Sequence, residues 1–317
     1  MEILPIRVEL VDMFMSLFLD DYDEERRIVQ VLPPREEIQE MVSSSLERII
    51  QHGVGFYAID EGRLVGYLVG IPTGPLFGLS DGVVVPIHGF ASVGDVKKVT
   101  KTLYLHAVQE WVRRGWFSQA VVMFAHHQVL KEVWFELGFG ARCADAIRDL
   151  STPTTPFSPL TIKKVVAWDL PELAPIHQEH HLYYRQAPMF MPNPDEDALQ
   201  DLQEWFSQKD HHMWVAKRNT KFVGYMRIQP EGESILSRHP KMMNITGAYV
   251  IPEERGHHVG ASLLEEITAW VHKNGYTRLG VDYEVLNPIG SSFWEKHFTP
   301  YTLSVARRID ERITPYL

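Results

Sequence analysis

The two halves of the sequence repeat one another at a nearly constant spacing. Phe56-Tyr57-Ala58-Ile59, then Leu64-Val65-Gly66-Tyr67-Leu68, returns as Trp214-Val215-Ala216-Lys217, then Phe222-Val223-Gly224-Tyr225-Met226, and Gly66 and Gly224 are 158 residues apart. Gly115 and Gly275, and Trp134 and Trp294, are each 160 apart. A shared Val-Gly-Tyr alone carries little weight; an offset held over several successive elements indicates internal duplication. Each apolar pair reads as a hairpin, turning at Asp60-Glu61-Gly62 and at Arg218-Asn219-Thr220. Helical regions precede both, one from about Val11 to Ile50 broken at Pro33-Pro34, the other from about Leu170 to Phe206 broken at Pro188, Pro192 and Pro194. Between the halves, residues 151–159 read STPTTPFSP, a stiff, exposed linker. The expectation is a domain over 1–150, a linker over 151–159 and a second domain over 160–317. Each runs strand, two helices, three strands, helix, strand, helix, strand. The fold class is α/β (α+β), with a mixed central sheet flanked by helices.

The 317 residues are 45% hydrophobic, enough for two cores of ordinary size. No run approaches the roughly 18 apolar residues of a spanning helix. The opening residues MEILPIRVEL lack a basic flank and a signal-like apolar core. A single cysteine, Cys143, forms no internal disulfide. A reducing, cytoplasmic setting is expected. The net charge of −10 disfavours broad nucleic-acid binding, so neither nucleic acid nor membrane is an expected partner, and a homodimer stays open.

One stretch carries a chemical signal. Thr246 to Leu264 reads TGAYVIPEERGHHVGASLL. Ala248-Tyr249-Val250-Ile251 is a short apolar strand that Pro252 ends. Arg255-Gly256-His257-His258-Val259-Gly260 leads into a helix whose Val259, Leu263, Leu264, Ile267, Trp270 and Val271 share one face, and Asn274-Gly275 stops it. The first amides of a helix lack intrahelical partners and sit at the positive end of its dipole, so a glycine turn at that point favours a phosphate. The bare reading is an anion site for a phosphorylated cofactor; glycine used only for helix packing is the alternative.

This stretch resembles motif A of the GNAT superfamily, the general N-acetyltransferases, written Val-x-Pro-x-x-Arg-Gly-x-Gly-x-Gly-x-x-Leu-Leu. It matches at Val250, Pro252, Arg255, Gly256, Gly260, Leu263 and Leu264, and departs at His258, where the pattern has its middle glycine. The resemblance implies that Ala248, Tyr249, Val250, Arg255, Gly256, His257, His258, Val259, Gly260 and Ala261 hold acetyl-CoA, the acyl-donor substrate. Further on, Leu279 to Val285 reads as a strand, and Asn287-Pro288 opens a helix similar to motif B, with Asn287, Phe293 and Lys296 matching. Asn287 is thereby implied to contact the pantetheine arm or to orient its turn. Trp294 stands where the family often has a tyrosine that protonates the leaving thiolate. Indole N–H is no acid at neutral pH, so Trp294 is expected as a wall of the thiol pocket. The order of elements in both halves resembles tandem proteins of the same superfamily.

Acetyl transfer to an amine requires that the ammonium lose a proton, so a base must be at hand. The oxyanion needs an N–H donor, implied by the family to lie near Tyr249 or Val250. Candidate acids and bases are Tyr249, Tyr283 and Glu284; alternation sends Tyr283 and Glu284 to opposite strand faces, so at most one is expected to face the cleft. His177, His180 and His181 have a spacing that suits a metal, but without a His-Glu-x-x-His pattern a solvated helix face is the favoured reading and no metal is expected. His257 and His258 are read as loop residues near phosphate. Tyr183, Tyr184, Arg185, Met189, Phe190 and Met191 form either an apolar acceptor pocket or core. In the first half Asp95 stands at the place of Arg255 and Ser92 to Val99 has one glycine, while Trp134 to Phe139 keeps the family ending: fold retained, donor site lost. The expected activity is direct transfer of acetyl from acetyl-CoA to an amine of a small molecule or peptide, since Cys143 lies outside motif A. The alternatives are a non-catalytic acyl-CoA-binding regulatory protein and an acyltransferase using a longer acyl or an aminoacyl donor.

Overall fold

The computed structural model describes residues 1–150, 160–192 and 197–317. The expected linker at 151–159 and the helix break at Pro194 lie outside them. The chain divides into two compact units, one of Met1–Asp145, Ser234–Leu236 and Thr299–Leu317, the other of Ala146–Glu233 and Ser237–Phe298. No helix among the described residues is long and apolar enough to cross a membrane.

The first repeat contains β1 (Glu2–Pro5), α1 (Val11–Ile28), α2 (Arg35–His52), β2 (Val54–Asp60), β3 (Arg63–Pro75), β4 (Asp81–Val85), β5 (Phe90–Ser92), α3 (Val96–Arg113), β6 (Ser118–Phe124), α4 (Gln128–Glu136) and β7 (Gly140–Asp149). The second contains β8 (Thr161–Lys164), α5 (Leu170–Tyr184), α6 (Ala198–Phe206), β9 (His212–Arg218), β10 (Lys221–Gln229), β11 (Met242–Val250), α7 (Val259–Lys273), β12 (Arg278–Glu284), α8 (Pro288–His297), β13 (Thr299–Pro300) and β14 (Thr302–Arg308). In the first unit β1 to β4 are antiparallel neighbours and β6 joins β4 in parallel, as a helical crossover requires. In the second unit β8 to β11 are antiparallel and β12 joins β11 in parallel. Each unit is thus a mixed sheet flanked by helices.

The duplication is visible in capping detail. Gly115 and Gly275 both follow a long helix at positive φ, +82° and +85°. In each case the next amide closes the helix, Trp116 N–H onto Trp111 C=O and Tyr276 N–H onto Val271 C=O. Only glycine adopts this left-handed position without strain. His127 and Asn287, also 160 apart, cap α4 and α8 by accepting from Leu130 N–H and Gly290 N–H.

The domain bounds expected from sequence depart from this grouping at Ala146, at Ser234–Leu236 and, over the longest stretch, from Thr299 onward. β14 pairs along its whole length with β6, from Thr302↔Phe124 to Arg308↔Ser118, and on its other edge with β7. Val305 is fully buried in the core that contains Leu103, Trp111, Val121 and Trp134. The alternating apolar residues of β14 therefore complete the first unit, and residues 299–317 do not stay with the rest of 160–317. The four-residue registers that follow each crossover, Gly82–Val85 with Ser118–Val121 and Met242–Ile245 with Arg278–Val281, hold the repeat offset of 160.

Candidate active site

In the second unit β11 keeps its pairing with β10 up to Gly224↔Val250, but its pairing with β12 ends at Ile245↔Val281. Opposite β10 the register slips between Arg227 and Ile228, leaving Thr246 as the extra residue of a bulge. Beyond that point β11 and β12 separate, and a cleft of about 580 Å³ opens between them. Ile251 N–H donates to Val223 C=O on the β10 side. Backbone groups alternate along a strand, so Val250 and Ala248 direct theirs to the opposite side, into the gap.

The loop after β11 brings the α7 N-terminus to this cleft. Gly256 has φ +79° and His258 has φ +62°. His258 occupies the N-cap of α7 in the left-handed region, which accounts for a glycine at this position in the pattern the loop resembles. Gly260 lies close under Phe293: a Cβ there would sit 3.3 Å from the ring. Buried Val259, Leu263, Leu264, Ile267 and Val271 fasten the helix to the sheet, as the sequence periodicity predicts. Glu254 would oppose an anion in the loop, but Arg218 binds it through Nε at 2.7 and 2.9 Å and holds its carboxyl below the usual range.

Every residue singled out from sequence for donor binding or acid–base chemistry lines this cleft except His257, which is exposed, its Nδ1 3.9 Å from Glu254. Arg255 lies inside rather than at the rim. Its Nε donates to Val250 C=O at 3.0 Å, and its guanidinium lies 5.0 and 5.4 Å from the ring centres of Tyr183 and Tyr249. Burial raises the Tyr249 and Tyr183 hydroxyls, with Arg255 opposing the shift. Asn287 orients its turn: its Oδ1 accepts from Gly290 N–H and from Tyr183 Oη at 2.8 Å. Trp294 is a buried wall, with Phe293 and Phe298 against it. Tyr283 and Glu284 both border the cleft, contrary to the expectation of at most one; both lie beyond Ile245↔Val281, where β12 no longer pairs with β11.

The histidines of α5 do not form the solvated helix face expected for them. His177 is 1% exposed, and His180 borders the cleft. His177 Nε2 lies 2.5 Å from Asp201 Oδ2, and its Nδ1 lies 2.7 Å from Tyr225 Oη, which is also 2.7 Å from His180 Nδ1. Burial lowers His177 to about 4 and holds His180 well below the usual imidazole range. His177, His181 and Asp201 bring possible ligand atoms within 4.8 Å of one another. A tetrahedral ion with ligands at about 2.0–2.2 Å sets them about 3.4 Å apart. The 2.5 Å between His177 and Asp201 is the separation of two atoms sharing a proton. Sequence reasoning weighed His180 only as a metal ligand or a solvated residue and gave Tyr225 no role; the signal was histidine spacing on α5 opposite the one hydroxyl of the Val-Gly-Tyr strand.

The corresponding places of the first unit are closed. Asp95 caps α3 by accepting from Lys98 N–H, so a carboxylate already uses the helix end. Lys97 and Lys101 are both tied to Glu136. Pro86 ends β4 where Thr246 begins the bulge of β11, and Tyr67, the counterpart of Tyr225, donates to His88 C=O and packs 4.8 Å from Phe14.

Residues 175–298 match the model of the Acetyltransferase (GNAT) family. The match ends at Phe298, the last residue of the second unit. Among solved structures, a GCN5-related N-acetyltransferase from Sphaerobacter thermophilus is similar with a TM-score of 0.62 at 13% identity, over 96% of this chain and 95% of that one. A fungal multi-domain GH3 β-N-acetylglucosaminidase with a GCN5-related glucosamine N-acetyltransferase region gives a TM-score of 0.56 at 14% identity, over 96% of this chain and 38% of that one. This chain thus spans well under half the length of the fungal protein. At these identities the likeness is one of fold. No curated protein sequence matches.

Proposed function

We propose that this chain, whose residues 175–298 belong to the GNAT acetyltransferase family, moves an acetyl group from acetyl-CoA directly to the amine of a small molecule or peptide. The family and fold support an acyltransferase in general; the observation that carries the finer reading is the placing of the split between β11 and β12 and the α7 N-terminus on one cleft. The amides from Gly256 to Ala261 suit a pyrophosphate, since glycine at 256 and 260 lets it approach and the helix dipole favours it. The Val250 N–H is the oxyanion donor in this reading, aimed into the gap by strand alternation. Tyr249, Tyr283 and Glu284 are the candidate proton carriers at the cleft wall, and Trp294 bounds the thiol end. No metal is needed for this chemistry, and the first unit acts as a scaffold without a donor site.

The test is thiol release from acetyl-CoA with a panel of primary amines, together with calorimetric CoA binding to the full chain. Turnover with at least one amine supports the proposal. Tight CoA binding without thiol release would favour a non-catalytic acyl-CoA-binding regulator, a reading encouraged by tryptophan at position 294. Release only with longer acyl donors would move the donor class.

A further inference from the structure

Asp201, His177, Tyr225 and His180 form a continuous line of hydrogen bonds that reaches the cleft, and the valences of these groups fix its direction. A carboxylate only accepts, so the proton in the 2.5 Å contact belongs to His177 Nε2. His177 is neutral at pH 7, so its Nδ1 has a lone pair and accepts from Tyr225 Oη–H. That uses the only hydroxyl proton, so Tyr225 Oη accepts from His180 Nδ1–H. His180 Nε2 is left with its lone pair, and among the described residues it has no hydrogen-bond partner. The ring borders the cleft and stacks on Tyr249, with ring centres 5.2 Å apart at 26°.

We propose that His180 Nε2 is the general base for the acceptor amine, and that Tyr225, His177 and Asp201 carry the proton away from it. This rests on the acyl-transfer reading and adds residues to it. The acceptor arrives as an ammonium; one N–H bond breaks and its proton goes to His180 Nε2, the freed nitrogen lone pair then bonds the acyl carbon, and the second N–H proton is lost to solvent. The His180 Nδ1 proton moves to Tyr225 Oη, the Tyr225 proton to His177 Nδ1, and the His177 Nε2 proton to Asp201. The C–S bond breaks with its electron pair on sulfur. Asp201, partly exposed, returns the proton to solvent, which reprotonates the thiolate. A lone imidazolium at His180 would be opposed by desolvation and by His177, Arg227, His181 and Arg255. The relay avoids that state by moving charge outward as the proton arrives. The first unit has no such line, since Tyr67 faces Phe14 and a backbone carbonyl. His180 is the catalytic residue; the other three are positioning residues that act through it.

Two measurements on the full chain test this. In long-range 1H–15N spectra of the histidine-labelled protein at pH 7, His177 is expected as the Nε2–H tautomer and His180 as the Nδ1–H tautomer, with Tyr225→Phe removing the preference at His180. A neutral His180 protonated at Nε2, or a cationic ring at either position, overturns the relay without reference to activity. The second measurement compares benzylamine, protonated at neutral pH, with aniline, which is not. His180→Gln and Tyr225→Phe should keep CoA affinity within twofold, yet lower the benzylamine-to-aniline rate ratio by tenfold or more, within the range a general base contributes. Equal losses on both amines overturn the base assignment and indicate a structural role. Activity lost on chelation and restored by zinc overturns it in favour of a metal at His177, His181 and Asp201. A wild-type chain that binds no CoA and releases no thiol with either amine removes the base role through failure of the acyl-transfer reading, and the tautomer result still judges the hydrogen-bond line.

Discussion

Changing Gly256 to aspartate separates charge from shape at the donor loop. A Cβ at Gly256 would meet nothing within 4 Å, so the substitution adds no clash. The φ of +79° makes any side chain there strained by about 1–2 kcal/mol, a cost to loop stability that Gly256→Ala should show alone. The added carboxylate has no ready counterion, since Arg218 is engaged with Glu254 and Arg255 points into the cleft against two tyrosine rings. One unit charge about 4 Å from a pyrophosphate charge is unfavourable by about 1 kcal/mol in water and about 4 kcal/mol in a partly screened site. Gly256→Asp should therefore raise the CoA Kd by roughly 5- to 1000-fold over Gly256→Ala. Titration calorimetry at low ionic strength and again at about 1 M salt, where the Debye length falls to about 3 Å, would show the excess shrinking. If alanine and aspartate weaken binding equally, the loop matters through its conformation and not through an anion. If neither does, the pyrophosphate lies elsewhere.

Other expectations are as direct. Trp294→Phe should keep substantial turnover while Tyr249→Phe, Tyr283→Phe or Glu284→Gln lowers it further; near-normal rates in all three would leave proton transfer to other groups, His180 first among them. Calorimetry on the full chain should find one CoA site, weakened by Gly256→Asp; a second site that vanishes on altering Lys97 and Lys98 would restore the first unit as a donor domain. Val305→Ala removes two buried methyl groups and should destabilise by about 2 kcal/mol. Its mark should be lost hydrogen-exchange protection in β6, and loss confined to β12 would contradict the strand grouping. His177 has a folded value near 4, below that of an unfolded histidine, so the folded state binds fewer protons and its stability contribution is lost as pH falls from about 6.5 to 4. Protection in β9 and β10 should decline over that window, less so in His177→Asn; an unchanged slope would remove His177 as the cause.

The repeat offset, both hairpins and the motif A stretch were legible because each rests on local chemistry: turn residues, helix periodicity and a glycine loop. The bulge at Thr246 was not, since it arises from unequal pairing of β11 with two neighbours. Nor was the buried face of α5. His177 and His180 look like surface residues until Tyr225 and Asp201, distant in sequence, supply the partners that make their burial affordable. Placing Tyr283 and Glu284 on opposite faces was sound for a continuous sheet and failed where β12 no longer pairs with β11. The sequence also gave no warning that β14 leaves its own repeat, because an alternating strand carries no mark of which edge it will join.

That last strand sets an order of events during synthesis. β6 and β7 are made well before β14, yet the strand between them is residues 302–308. Until the second repeat is built, the edges of β6 and β7 that β14 fills have no partner, and the core around Trp111 and Val121 lacks Val305. The second unit, complete at Phe298, can close before the first does. The half that leaves the ribosome first is therefore the half that finishes folding last, and the two repeats cannot be cut apart at the segment joining them without opening the older one.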